Sequence, residues 1–266
     1  MARPPISFSG RGSMGMIIFE HGYSNNVDGT GTRLIFYLKG CNFNCDWCGA
    51  PESISPQCEQ MHYPSRIVTV GQIIDPEMIL DKARRCCSMI DGVTFGGGEP
   101  TLQTPELIKA LQLLQNESIH TALESNASTA AYCEVIKHVD QLFSDLKTLS
   151  EEKFADRINP NINLMHKVCE NLHHAALTHP NLTIRIPVVT QLNDTEDEQL
   201  KIAEFLHSLQ FAGGKFKVEL LRQHHLAEPK YRALGKEYMC SNVQVPENAT
   251  LTAFAEILKK YNIQVV

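Results

Sequence analysis

Six short runs rich in β-branched and aromatic residues alternate with stretches of helical period, and this alternation constrains the fold more than any other feature of the chain. The runs are RLIFYL (33–38), GVTFG (92–96), IHTALE (119–124), QLFSDL (141–146), LTIRIPVV (182–189) and KVELL (217–221). Helical patterns fall near 76–90, 105–116, 128–138, 161–177 and 194–210, with a last one at 247–260 before a short IQVV. Parallel strands cannot be joined by a tight hairpin, so this order means parallel strands with crossover helices, in an open doubly wound sheet or a barrel-like one. In both α/β architectures chemistry gathers at the carboxyl ends of the strands. The motifs obey that rule. A cysteine-rich stretch follows the first strand, GGGEP (96–100) the second, ESN (124–126) closes the third, DLK (145–147) the fourth, and RQHH (222–225) follows the sixth.

No internal repeat or low-complexity linker interrupts the pattern, so one domain is expected over 16–266. Residues 1–15 carry Pro, Gly, Ser and Arg without an apolar period and read as a disordered arm or an expression remnant. The stretch from Cys48 to about Gly71, at its widest 49–75, reads as a long loop, and loops of that length are usually functional or disordered. No run approaches the roughly 20 apolar residues of a membrane span, and the secretory pattern is absent, so a cytoplasmic protein without membrane contact is expected. A net charge of −6 with no basic run leaves no electrostatic footprint for nucleic acid.

Nine cysteines are an odd number, and a reducing compartment argues against a disulfide framework. Six are scattered (Cys58, Cys86, Cys87, Cys133, Cys169, Cys240) and read as buried or inert thiols. Cys41, Cys45 and Cys48 are not scattered: C-x3-C-x2-C packs them into a loop directly after a strand. Three thiolates hold three irons of a [4Fe–4S] cubane and leave the fourth iron open, as a reactive site requires. The zinc alternative needs a fourth ligand, for which Cys58 and His62 are the nearest candidates. In GGGEP, Gly96, Gly97 and Gly98 let the backbone approach a ligand closely, and Glu99 offers a carboxylate to an ammonium group.

CNFNCDWC followed by GGGEP resembles the motifs of the radical S-adenosylmethionine (SAM) superfamily. NNVDGTGTRLIFYLKGCNFNCDWC, IHTALESNA, DLK, LTIRIPVV and VELLRQHHLAEPKYRALGKEY are together similar, in order, to stretches of the glycyl radical enzyme activating enzymes. The resemblance runs from about residue 16 to the end of the chain and is weakest at 49–75. It implies a partial (β/α)6 TIM-like barrel over 16–266. It also implies one [4Fe–4S] cluster on Cys41, Cys45 and Cys48, with SAM on its open iron and Trp47 on the adenine side.

The same resemblance assigns Gly97, Gly98 and Glu99 to the methionine ammonium. Glu124, Ser125 and Asp145 fall to a monovalent cation, sodium or potassium, beside the SAM carboxylate. Lys147, Arg185 and His224 would be catalytic contacts, Lys147 and His224 also touching SAM, and Asp28 and Gly29 would meet an incoming glycyl loop. The implied partners are a glycyl radical enzyme as protein substrate and flavodoxin or ferredoxin as reductant, for a monomer working under anaerobic conditions.

Departures from the family pattern are local. Gly49 and Ala50 stand where His and Asn usually follow the third cysteine, Glu124 replaces an Asp, and VDGTG lacks the usual Pro. An insert for additional clusters is absent. Two alternatives stay open: a radical SAM enzyme acting on a small molecule, similar to the deazaguanine-forming type, and a non-catalytic metal-binding protein.

Overall fold

The computed structural model describes residues 15–266. The arm expected at 1–15 lies, but for Gly15, outside the described residues. In chain order the elements are β1 (Met16–Asn25), β2 (Thr32–Leu38), β3 (Glu59–Tyr63), β4 (Arg66–Val70), β5 (Gln72–Ile74), α1 (Pro76–Arg85), β6 (Gly92–Gly97), α2 (Thr104–Asn116), β7 (Thr121–Ser125), α3 (Tyr132–Val135) and β8 (Gln141–Asp145). They continue with α4 (Glu151–Arg157), α5 (Asn163–Thr178), β9 (Leu182–Val188), α6 (Glu196–Phe211), β10 (Lys217–Arg222), α7 (Glu228–Ala233) and α8 (Asn248–Lys260).

One sheet runs β10-β9-β8-β7-β6-β2-β1-β5. Its six strands from β2 through β6, β7, β8 and β9 to β10 are parallel and taken in chain order, with helices between them: a partial (β/α)6 barrel. Antiparallel β1 and β5 extend it beyond β2. At the other edge the final residues lie along β10, where Val218 N donates to Gln264 O at 2.8 Å and Val266 N to Val218 O at 2.9 Å. Among the described residues no helix is long and apolar enough to cross a membrane.

Strands buried on both faces read as continuous apolar runs, as five of the six parallel strands do, while β10 at the edge buries only Val218. Each helix covers them with a stripe. On α2 the stripe is Leu107, Ala110, Leu111 and Leu114, all 0% exposed, and each buried Leu contributes about 1.5–3 kcal/mol.

Elsewhere the structure corrects the expectation. The helix expected over 128–138 shrinks to α3 and a short 3-10 turn, Ile136–His138. Ser128 N and Oγ bond instead to Asn126 Oδ1 (3.0 and 2.6 Å), and Ala127 takes a φ of 57°, which holds the segment before α3 out of helix. The expected loop at 49–75 contains the β3–β4 hairpin, with Met61 paired to Val68, and strand β5. Its alternation is hard to see because only Met61 and Val70 of the hairpin are buried, against Ala233. α4 is short, and starts where Ser150 accepts from Lys153 N at 3.4 Å with Glu151 and Glu152 in the first turn.

The amino ends of the strands hold a buried cation. Arg33, 1% exposed, donates to Thr94 Oγ1 (3.0 Å), Val93 O (2.7 Å) and His120 O (3.2 Å). Burial lowers its pKa to about 10, with Asp91 acting the other way. Gly92 makes the room: a Cβ there would stand 2.2 Å from Arg33 Nη1 and 2.3 Å from His120 O. Gly92→Ala is therefore expected to cost about 1–3 kcal/mol or more. Gly22→Ala, whose Cβ would meet nothing within 4 Å, should stay within about 0.5 kcal/mol. Thermal melts that leave the two variants indistinguishable would remove this account.

Candidate functional site

The cysteine loop leaves β2 at Leu38 and is fastened on two sides. Gly40 N donates to Ser53 O (2.7 Å) and Cys41 N to Ile54 O (3.0 Å), while Asn44 N and Asp46 N reach Ile158 O (3.0 Å) and Arg157 O (3.2 Å) at the carboxyl end of α4. Phe43 packs edge-on against Phe154 at 5.4 Å, and Asp46 pairs with Arg157 at 3.2 Å. Trp47 is 8% exposed, sits in the core and lies under the Arg157 guanidinium at 5.6 Å, so only a sliver of its ring is left to meet a ligand.

Gly98 seats this loop on the end of β6. Gly98 N donates to Leu38 O (2.9 Å) and Glu99 N to Gly40 O (2.7 Å), and a Cβ on Gly98 would stand 2.2 Å from Gly40 O. Gly97, at φ 111°, has Leu38 N and O each 2.6 Å from where its Cβ would be. These glycines bring protein backbone onto protein backbone. The Glu99 carboxylate, read from sequence as facing a ligand ammonium, is 0% exposed and turned inward. It accepts from Thr101 N (3.1 Å), Thr101 Oγ1 (2.5 Å), Ser125 Oγ (2.8 Å) and Asn126 N (2.6 Å). Burial raises its pKa against the pull of those donors. Gly97 and Gly98 stay partly exposed beside it.

A charge pair and a three-membered charge cluster stand where β7 and β8 end, the cluster gathered by Arg185 from the middle of β9. Lys147 Nζ donates to Asp145 Oδ2 at 2.7 Å. Burial alone would lower the Lys147 pKa, but Asp145, Cys45 and Cys41 raise it. Arg185 bonds Glu124 (2.6 Å) and Glu219 (2.7 Å), lies 3.9 Å over the Phe143 ring, and donates to Val27 O. Burial pushes Glu124 up to about 8, with Arg185 opposing and a neighbouring Asp28 adding to the rise. Glu124 and Asp145, expected to share a cation, are thus each held by a separate basic side chain.

Asp28 and Gly29 come from the amino side of the sheet, though Asp28 reaches in as far as Glu124. Their turn precedes β2, at the other end of the strands, and enters the interior through Arg185 on Val27 O and Thr94 Oγ1 on Asp28 O (2.7 Å). His224 does reach the rim: a Cβ on Gly49 would meet only its ring, at 3.6 Å. Between these ends lies a cavity of about 390 Å³, lined among others by Glu20, Tyr37, Ala50, Gly97, Glu124 and Lys230.

The thiols suit a polynuclear iron–sulfur group. All are unbridged and half-buried. Burial raises each pKa, Cys45 to about 12, and Cys45 and Cys48 raise Cys41 further. Bound iron relieves this crowding by taking the thiolate form. Among the described residues no group of three or more His, Cys, Asp or Glu is placed to hold a single ion, with or without Cys58 or His62. A cubane instead takes each thiolate on a different iron.

Sequence reading missed Asn126, whose Nδ2 reaches Asn42 Oδ1 (3.0 Å) and Cys41 Sγ (3.8 Å). It also missed Arg157 behind Asp46, and the Lys230–Glu52 pair at 2.5 Å. ESN marked the first in principle; the others come from distant elements with no motif. Of the scattered thiols, expected to be buried or inert, Cys86 and Cys240 are buried, Cys133 and Cys169 half-buried, and Cys58 and Cys87 exposed.

Comparison with known proteins agrees with this geometry. The family model described as Radical SAM superfamily matches residues 35–206. The pyruvate formate-lyase-activating enzyme of Staphylococcus aureus (strain USA300) is 30% identical over 239 residues, covering 85% of this chain and 88% of that protein. A crystal structure of a domain of pyruvate-formate lyase-activating enzyme from Bacteroides vulgatus superposes with a TM-score of 0.51 at 25% identity, over 66% of this chain and 97% of that one. The crystal structure of QueE from Escherichia coli gives 0.55 at 14% identity, over 95% and 93%, a likeness of fold alone.

Raised thiol pKa values have a direct consequence for the metal-free protein. With the folded pKa of Cys45 near 12, the protonated form dominates at pH 8, and the reactive thiolate gains only as pH climbs towards that value. Iodoacetamide at pH 8 should therefore label exposed Cys58 and Cys87 well before Cys41, Cys45 and Cys48, and loading with iron and sulfide should release protons and proceed faster as pH rises. Mass-spectrometric mapping that finds the three loop cysteines labelled first would contradict the burial described above.

Proposed function

We propose that this chain, which belongs to the Radical SAM superfamily, activates a glycyl radical enzyme by taking a hydrogen atom from a backbone glycine Cα of that partner. The observation that carries the reading is the trio of unbridged, half-buried thiols held in one loop at the strand-end rim. Likeness over most of the chain to pyruvate formate-lyase-activating enzymes supports the choice of reaction.

Cys41, Cys45 and Cys48 would hold one [4Fe–4S] cluster. Bound there together with SAM, such a cluster would supply one-electron reductive cleavage chemistry, its electron coming from the external reductant, to generate the species that takes the hydrogen. The chain's own residues orient the reactants. Lys147 offsets the negative charge of the thiolates. Gly97 and Gly98, on the turn that Glu99 braces, would meet the methionine ammonium, with Trp47 toward the adenine and His224 at the rim by Gly49.

Glu124, Ser125 and Asp145 are proposed ligands of sodium or potassium, which requires Glu124 and Asp145 to part from Arg185 and Lys147. Arg185 fixes the turn that bears Asp28 and Gly29 and so shapes the interior that receives the partner's glycyl loop. We assign the working unit to a single domain over 16–266, a monomer in an anaerobic cytoplasm, reduced by flavodoxin or ferredoxin.

A second reading, a small-molecule substrate, draws on the partly open cavity beside Gly97 and Glu124, whose volume of about 390 Å³ falls in the range of metabolite pockets. The two part on one experiment. The cluster is reconstituted anaerobically, SAM and reductant are added, and candidate glycyl radical enzymes are followed by electron paramagnetic resonance. A doublet on the partner with matching 5′-deoxyadenosine is expected. SAM cleavage without a protein radical on any candidate would favour the small molecule, and stoichiometric zinc in place of a cluster would overturn both readings.

Two substitutions sharpen the test. Cys45→Ser should abolish cluster and SAM cleavage together. Arg185→Gln, which frees the 26–31 turn, should cut glycyl radical yield roughly 10–100-fold while SAM cleavage without partner persists.

A further inference from the structure

Glu52 stands four residues after Cys48 in a 3-10 turn, Pro51–Ser53, and is 3% exposed. Its turn is part of the cysteine loop's anchorage: Ser53 O and Ile54 O accept from Gly40 N and Cys41 N, and Glu52 O accepts from Lys39 Nζ at 2.5 Å. Oε1 of Glu52 accepts from Lys230 Nζ at 2.5 Å, whereas Oε2 is buried with no hydrogen-bond partner. Lys230 comes from α7 and lines the central cavity with Ala50, Gly97 and Glu124. On the far side Lys39, itself 0% exposed, bonds Glu59 at 3.2 Å, and Lys236 approaches Glu59 at 3.7 Å.

A buried ion pair is a poor device for stability, because desolvation offsets most of the attraction, and an apolar contact would seat α7 equally well. Charges enclosed beside a redox group act on it at long range, and the potential of an iron–sulfur cluster follows the net charge around it. Glu52 lies four residues from Cys48 in the turn whose carbonyls hold Gly40 and Cys41, and Lys230 closes on it at 2.5 Å, so both charges stand against the ligand loop.

We propose that the Lys230–Glu52 pair is a positioning couple that seats α7 on the cysteine loop and sets the reduction potential of the cluster held by Cys41, Cys45 and Cys48. This rests on the reading that those thiols bind a [4Fe–4S] cluster, and it is independent of which partner is activated. Glu52 is the more enclosed member, its side chain 4% exposed against 35% for Lys230, so Glu52 exerts the larger effect.

The test is an anaerobic potentiometric titration of the reconstituted enzyme, without SAM or partner, followed by the electron paramagnetic resonance signal of the reduced cluster. Glu52→Gln removes a negative charge and should shift the potential in the positive direction. Lys230→Gln should shift it in the negative direction by a smaller amount, and Lys230→Arg should match the unaltered protein. A purely structural pair would move both neutral variants the same way, or neither, and either result overturns the proposal. Should Glu52→Gln fail to retain its cluster, the sign of the shift in Lys230→Gln against Lys230→Arg decides alone. A cluster that forms and titrates but activates no glycyl radical enzyme counts against the activase reading and leaves these shifts to be read.

Discussion

A single buried carboxylate organises the reactive end of this barrel. Glu99 sits at the end of β6 with no exposed surface and draws donors from its own turn, Thr101, and from the end of the neighbouring strand, Ser125 and Asn126. Burying a carboxylate is costly unless its oxygens are satisfied, and here four hydrogen bonds satisfy them. Asn126, fixed at its backbone by Glu99, extends its side chain to Asn42 and Cys41. Glu99 N meanwhile holds Gly40 O. Thus the position of the first cysteine depends on a charge that never meets solvent. This dependence couples the strand ends, the glycine turn and the metal-binding loop into one piece.

The strand order was legible because five of the six parallel strands are buried on both faces and read as apolar runs, and because the chemistry-bearing motifs sit where the strands end. All six parallel strands and four of the longer helices, α2, α5, α6 and α8, lie where the pattern put them. What escaped was structure held by few or distant contacts. The β3–β4 hairpin buries only Met61 and Val70 of its own, and β1 loses its apolar character after its first few residues. Asn126 and Ser128 override the helical period of 128–138 through hydrogen bonds that a periodicity argument does not weigh.

The site was legible to the same degree. Spacing identifies the three cysteines, and the order of motifs identifies the rim. Side-chain direction is another matter: Glu99 faces inward, and Asp28 approaches from the far end of the strands. Arg185 gathers Glu124, Glu219 and the carbonyl of Val27 into one knot. A strand residue's face follows from its parity, but its partners depend on which strands lie beside it and on loops that fold back from elsewhere. Lys230 and Glu52 are separated by 178 positions, and no local pattern predicts that they touch.

That separation has a bearing on how the molecule is made. A ribosome delivers the cysteine loop early and α7 late, and at roughly 5–20 residues per second the interval is on the order of ten seconds or more. Through that window the nascent loop has its strand and hairpin but not the helix that covers it or the ammonium that meets Glu52. Vectorial synthesis therefore leaves the Glu52 carboxylate without its Lys230 partner until α7 emerges, which orders assembly: the cysteine loop is made first and its charge is balanced second.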